Sequence, residues 1–121
     1  MSERTAKPLR LSPADWQRPD ANFWRGRFEG EVFGTNASVI FYSTDEIGAG
    51  PPLHVHSYDE IFIVREGRAR FTVGEAEFEA SAGDILFGPA NVPHRFVNLG
   101  PGRLETTDVH VAPRIAQVDL D

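Results

Sequence analysis

The sequence predicts an all-β protein, a small sandwich or barrel of about eight to ten short strands. Three observations carry that expectation. Apolar and polar residues alternate with a period of two in one short run after another. Gly, Pro, Asn and Asp punctuate these runs at intervals of roughly 6–12 residues, and no stretch keeps the 3.6-residue period of an amphipathic helix. At 121 residues the chain suits one domain and is short for two. A domain of this size buries roughly two-thirds of its unfolded surface. With 40% hydrophobic residues, nine of them Phe, it can build a core without cross-links.

Composition excludes several classes. The absence of cysteine rules out a disulfide framework and thiolate zinc sites. No run approaches 18 apolar residues, and Met1-Ser2-Glu3-Arg4-Thr5-Ala6-Lys7 lacks the apolar core of a secretory signal. The expectation is a cytoplasmic protein with no membrane segment. The net charge is −6, from 12 basic and 18 acidic residues, and Lys7 is the single lysine. Without clustered cations no nucleic-acid partner is expected. Arg68 and Arg70 lie among Glu66, Glu75, Glu77 and Glu79, as on a solvated strand surface with cross-strand ion pairs.

Taken in order, residues 1–24 read as an N-terminal arm. Ser12-Pro13-Ala14-Asp15-Trp16 suits a short helical turn, with Ser12 as cap and Pro13 at the first position. Arg18-Pro19 stops it. Trp16, Phe23 and Trp24 are the anchors with which this arm would pack on the domain or on a partner subunit. Residues 25–113 carry the strands. Arg27 to Phe33 alternates, and Ala37 to Ser43 is strand-like. Pro51 and Pro52 cannot donate to a ladder, so the next strand starts near Leu53 and holds His54-Val55-His56. Ser57-Tyr58-Asp59 bends the chain into Glu60–Val64. Arg68–Val73 and Ala76–Ala80 flank Gly74-Glu75 as a hairpin. Ile85–Phe87, His94–Asn98 and a long run from Arg103 to Val111 complete the set, and Pro113 ends it. Residues 114–121 read as a tail.

Residues 48–67 concentrate the chemistry. His54 and His56 are two apart, which on a strand places both imidazoles on one face about 6.5–7 Å apart. Glu60 opens the following strand, expected to lie beside the histidines in a hairpin-like unit. It shares a face with Phe62 and Val64, where an unpaired carboxylate is costly. His94 shares a face with Phe96 and Asn98. If that face is inward, His54, His56, Glu60 and His94 hold one divalent metal ion, with Fe, Mn, Co, Ni and Zn all compatible with the donor set. One or two coordination positions stay open, unlike a closed structural zinc site. His110 alternates with Asp108 and Thr106 on the last strand. It is the candidate acid–base residue, with Asp108 a group of the right type to orient a ligating ring.

These residues resemble the motifs of the cupin superfamily. Its first motif is Gly, five residues, His-x-His, three or four residues, Glu, six residues, Gly, and Gly48, His54, His56, Glu60 and Gly67 match every spacing. Its second is Gly, five residues, Pro-x-Gly, two residues, His, three residues, Asn. Gly83, Pro89, His94 and Asn98 match, while Asn91 stands at the second glycine. Asn tolerates left-handed backbone angles, so the turn can survive. The resemblance covers residues 48–98. It implies a jelly-roll barrel whose metal ligands are His54, His56, Glu60 and His94. It also implies frequent homodimers, with the aromatic arm and the Ile61 and Ile63 face as surfaces a partner would cover.

The family's chemistry is broad, so the fold alone leaves function open. The leading expectation is a dioxygenase-like, metal-dependent oxidoreductase acting on a small organic molecule. Its cavity would be lined by Phe41 or Tyr42, Phe62, Phe71 and Phe96. One alternative is a metal-dependent isomerase or lyase that uses His110. Another is a non-catalytic binding or sensing module. No further cofactor is expected.

Overall fold

The computed structural model describes residues 7–20 and 23–121; residues 1–6, 21 and 22 of the expected arm lie outside that range. The alternating runs become strands β1 (Gly26–Phe28), β2 (Ser38–Thr44), β3 (His54–Val55), β4 (Glu60–Glu66), β5 (Arg68–Val73), β6 (Ala76–Ser81), β7 (Ile85–Gly88), β8 (His94–Asn98), β9 (Leu104–His110) and β10 (Val118–Asp119). A single helical turn, α1 (Pro13–Trp16), precedes them, and a 3-10 turn spans Gly30–Val32.

The strands form two five-stranded antiparallel sheets, ordered β1-β2-β9-β4-β7 and β10-β3-β8-β5-β6. From β2 onward the chain passes from one sheet to the other at almost every connection. The hairpin β5–β6, which stays within the second sheet, is the exception. This is a jelly roll. Among the described residues no ladder joins the sheets, so the expected barrel takes the form of two facing sheets. The hairpin turns at Gly74-Glu75, between the paired residues Val73 and Ala76. Gly74 has φ +59°, the left-handed value that a two-residue turn with glycine first requires.

Period-two patterning sets the core. Phe62 and Val64 of β4 and Leu104 of β9 point inward from one sheet; Ala69 and Phe71 of β5 and Phe96 of β8 point inward from the other. Phe62 meets Phe71 at 5.2 Å between ring centroids, edge to face, and Phe96 at 6.1 Å. Burying each such side chain contributes about 1.5–3 kcal/mol. The alternate residues point outward. Arg68 pairs with Glu79 at 3.2 Å and Arg70 with Glu77 at 3.6 Å on the solvent face, as expected for that surface.

The described part of the arm packs on its own domain. Ser12 N donates to Asp15 Oδ2 at the start of α1. Trp16 lies 4.1 Å from the Phe41 ring, Trp24 lies 5.1 Å from it edge-on, and Trp24 Nε1 donates to the Thr106 carbonyl. The Arg65 guanidinium covers Trp24 at 3.7 Å. The chain end departs from the expectation of a tail. Val118 and Asp119 pair with Val55 and His54, because β3 would otherwise leave an unpaired edge beside the site. No helix among the described residues is long and apolar enough to cross a membrane.

Candidate metal centre

Three segments bring the candidate ligands together. His54 on β3 lies directly opposite His94 on β8 in the same sheet. His56 follows just past the end of β3. Glu60 comes from β4 in the facing sheet, which corrects the expectation of a hairpin neighbour. The bend at Ser57–Asp59 carries the chain across the sandwich, and the carboxylate approaches the imidazoles from the opposite wall. One ligand atom from each of His54, His56, Glu60 and His94 lies within 4.8 Å of the others, and all four residues are buried.

Each ring is aimed by a backbone carbonyl. His54 Nδ1 lies 2.7 Å from the Pro52 oxygen, His56 Nδ1 2.7 Å from the Ala116 oxygen, and His94 Nδ1 3.3 Å from the Val92 oxygen. A carbonyl only accepts, so each Nδ1 donates and each Nε2 presents its lone pair to the centre. Asp108, considered from sequence as the orienting group, holds none of these rings. A Cβ on Gly88 would stand 3.2 Å from His94 Nδ1 and 3.0 Å from Phe62, so glycine leaves room for that ring.

The electrostatics fit a cation. His56 Nε2 and His94 Nε2 lie 3.1 and 3.0 Å from Glu60 Oε1, yet these three buried atoms have no hydrogen-bond partner of good geometry. Buried polar atoms without partners are rare in proteins. Here they converge on one point, and an ion there would satisfy them together. Burial by itself pushes Glu60 up, but His110, His56 and His94 outweigh it and hold the carboxyl well below the ordinary range. Burial lowers His56 too; hydrogen bonds to Glu60 and Ala116 more than offset that, and its pKa is raised. His54, with desolvation dominant, is lowered. The donor set therefore suits a divalent ion: three neutral nitrogens and one carboxylate.

His110 faces inward from β9. Its Nε2 lies 3.2 Å from Glu60 Oε2, and its Nδ1 lies 2.8 Å from the Tyr58 hydroxyl. Tyr58 donates to the Ala116 carbonyl and stacks on the His56 ring at 4.8 Å. A cavity of about 160 Å³ adjoins the group at His54 and Glu60, walled by Tyr42, Phe62 and Phe96, with Ile40, Pro51, Asp108, His110 and Gln117 also lining it. Three of the five aromatic candidates line this cavity, and two do not. Phe41 has the opposite parity to Tyr42 and faces the arm, under Trp16 and Trp24. Phe71 is wholly buried behind Phe62 and Phe96, where it fills the core. Sequence reasoning missed the Ala116 carbonyl and Gln117, because nothing local in residues 114–121 marks them as paired with β3. Asn98 lies beyond the cavity. It ties the adjoining turns, accepting from Gly100 N and donating to the Gly102 carbonyl. Asn91 has φ +67°, the left-handed conformation that its place in the motif requires.

Comparisons with known proteins bear on the fold and the family. An uncharacterized protein of Streptomyces coelicolor is 36% identical over 61 residues, 50% of this chain and 57% of its own length. One from Methanocaldococcus jannaschii is 34% identical over 55 residues, 45% of this chain and 44% of its own. The chain thus spans about half the length of these relatives. Among solved structures, one of oxalate decarboxylase superposes with a TM-score of 0.72 at 24% identity, over 78% of this chain and 27% of that one. Bacillus subtilis oxalate decarboxylase at pH 4.6 gives 0.71 with the same identity and coverage. At that identity the likeness shows the fold. The family model described as the cupin domain matches residues 41–110, more than half of the chain and a span that takes in all four candidate ligands. The chain therefore belongs to the cupin domain family.

Proposed function

We propose that this protein is a metal-dependent, dioxygenase-like enzyme acting on a small organic molecule. The observation that carries the reading is the junction of the His54–His56–Glu60–His94 group with a largely apolar cavity lined by Tyr42, Phe62 and Phe96. Structural metal sites are closed by their ligands, whereas this group borders space that a substrate can occupy. A divalent ion held there would supply Lewis acidity, or oxygen chemistry if it is iron. The chain's own residues do the rest. The Pro52, Ala116 and Val92 carbonyls fix the ring orientations, Glu60 contributes the negative charge, and the aromatic walls exclude water and hold the substrate in place. No Lys or Arg lines the cavity among the described residues. Arg95 points outward and lies 3.7 Å from Asp121. Neutral or singly charged substrates fit this lining better than phosphorylated ones.

A second reading has a specific observation behind it. His110 reaches both Glu60 and Tyr58 and borders the cavity, as a proton-moving residue of an isomerase or lyase would. The two readings separate on protein purified without an affinity tag and under anaerobic conditions, with metal content measured first. Near-stoichiometric iron, and oxygen uptake that depends on an added small acid or phenol, supports the oxygenase. Zinc, manganese or nickel without oxygen uptake moves the weight to proton transfer, and His110→Ala must then abolish turnover. We also propose a homodimer, because Ile61, Ile85 and Phe87 leave an exposed apolar strip on the outer face of β4 and β7.

A further inference from the structure

We propose that Asp108 is a ligand-recognition residue: its carboxyl binds the second oxygen of a small bifunctional acid whose first oxygen lies at the His54–His56–Glu60–His94 group. This rests on the metal-site reading above and adds the chemical class of the ligand. Asp108 sits in β9, an interior strand flanked by β2 and β4. Its direct neighbours across the two ladders are Ile40 and Phe62, neither of which can hydrogen-bond to it. The residue is 4% exposed, and Oδ1 has no partner of good geometry. The Thr106 hydroxyl, two residues back on the same face, is the polar side chain beside it and also lacks a partner of good geometry. A core position between Ile40 and Phe62 calls for an apolar side chain, and an unpaired buried carboxyl there costs stability. The same carboxyl lines the cavity that His54 and Glu60 line. A side chain that breaks the packing rule in the wall of a binding cavity is placed where a ligand supplies the missing partner.

The surroundings define that ligand. The titratable groups that share the cavity wall with Asp108 are Glu60 from β4, His110 on β9 itself, Tyr42 from β2 and His54 from β3 in the facing sheet. A carboxyl in this position can exchange a hydrogen bond with a hydroxyl group, which both donates and accepts. No Lys or Arg lines the cavity beside it among the described residues, so the ligand oxygen that meets it is an uncharged hydroxyl. The cavity of about 160 Å³ limits size; a cavity of about 150 Å³ holds benzene. The class is a hydroxycarboxylic acid no larger than one substituted ring, with its carboxylate toward the metal group and its hydroxyl at Asp108.

The test uses matched pairs of acids that differ by one hydroxyl: propionate with 3-hydroxypropionate, and benzoate with 3-hydroxybenzoate. Their Kd values are measured by calorimetry on Mn(II)-loaded protein whose metal stoichiometry is determined first. Wild type is expected to bind the hydroxylated member of at least one pair about five- to tenfold more tightly, the worth of one hydrogen bond. Asp108→Leu is expected to reduce that ratio to about one with metal content unchanged. Asp108→Asn, which can still hydrogen-bond, retains most of it. Thermal melts establish that both variants fold. A ratio left intact in Asp108→Leu, even with both members weakened alike, makes the residue structural and overturns the proposal. So does a metal-loaded wild type that distinguishes neither pair. Wild type that takes up no metal fails the underlying site reading, and the proposal falls with it.

Discussion

Replacing Glu60 by Gln tests the centre most directly. Glu60 is 2% exposed, and its two oxygens lie 3.0–3.2 Å from the Nε2 atoms of His56, His94 and His110. Gln keeps the shape and removes the charge, leaving a cation with three neutral imidazoles. Losing an orienting partner alone weakens metal binding by about 10–100-fold, so loss of the anionic ligand is expected to cost at least about 100-fold. At a metal concentration about 100 times the wild-type Kd, binding stabilises the folded state by about 2.7 kcal/mol. For 121 residues, an unfolding entropy of about 0.25 kcal/mol/K turns that into a rise in Tm of about 11 °C. At the same concentration the variant sits near its own Kd and gains about 0.4 kcal/mol, less than about 2 °C. The assay is a thermal melt by circular dichroism, after chelation and then with Mn(II) or Zn(II) added back. An equal rise in both proteins would refute the reasoning by placing the ion elsewhere. No rise in wild type would remove the centre.

Three other outcomes are expected. Metal uptake by the chelated protein should release protons near neutral pH, because Glu60 and the Ala116 carbonyl raise the pKa of His56 and the ion must displace that proton; calorimetry in buffers of different ionisation enthalpy measures it, and zero release contradicts it. Asp108→Leu should melt higher than wild type by about 1–3 kcal/mol of stability at pH 7. Burial raises the pKa of the folded-state carboxyl, so the unfolded chain gives up its proton at the lower pH, about 4; the pH-dependent part of the penalty grows as pH rises above that value and is absent below it, where only the cost of the unpaired neutral carboxyl remains. Phe87→Glu should leave metal content intact and, if the exposed strip of Ile61, Ile85 and Phe87 joins two copies, shift the protein from dimer to monomer in sedimentation velocity. A wild type that is monomeric at tens of micromolar dismisses that interface.

Much of this architecture was legible from local pattern. Period-two alternation identified the strands, and Gly, Pro and Asn marked their ends, because both signals depend only on neighbours in the chain. The spacing of His54, His56, Glu60 and His94 was legible for a similar reason. A strand repeat of two residues puts side chains on a common face, and charge on an apolar face needs a partner. Asn91 at a glycine position was readable too, and it adopts φ +67°.

What the tertiary structure decided was which face points inward and which sheet each strand joins. Alternation says that Phe41 and Tyr42 lie on opposite faces; only the facing sheet, bringing Phe96 to 5.4 Å from Tyr42, makes Tyr42 the cavity residue and leaves Phe41 to Trp16. Glu60 begins a strand soon after His56, yet it serves from the opposite wall, because the intervening bend crosses the sandwich. Residues 114–121 look featureless in sequence, and pairing with β3 makes the Ala116 carbonyl the group that aims His56. Asp108 alternates like any strand residue until β2 and β4 close over it with Ile40 and Phe62. The physical reason is common to all four. Period and turn chemistry are short-range, whereas hydrogen-bond ladders and burial are made between segments tens of residues apart, and one sequence read along its length holds no term for them.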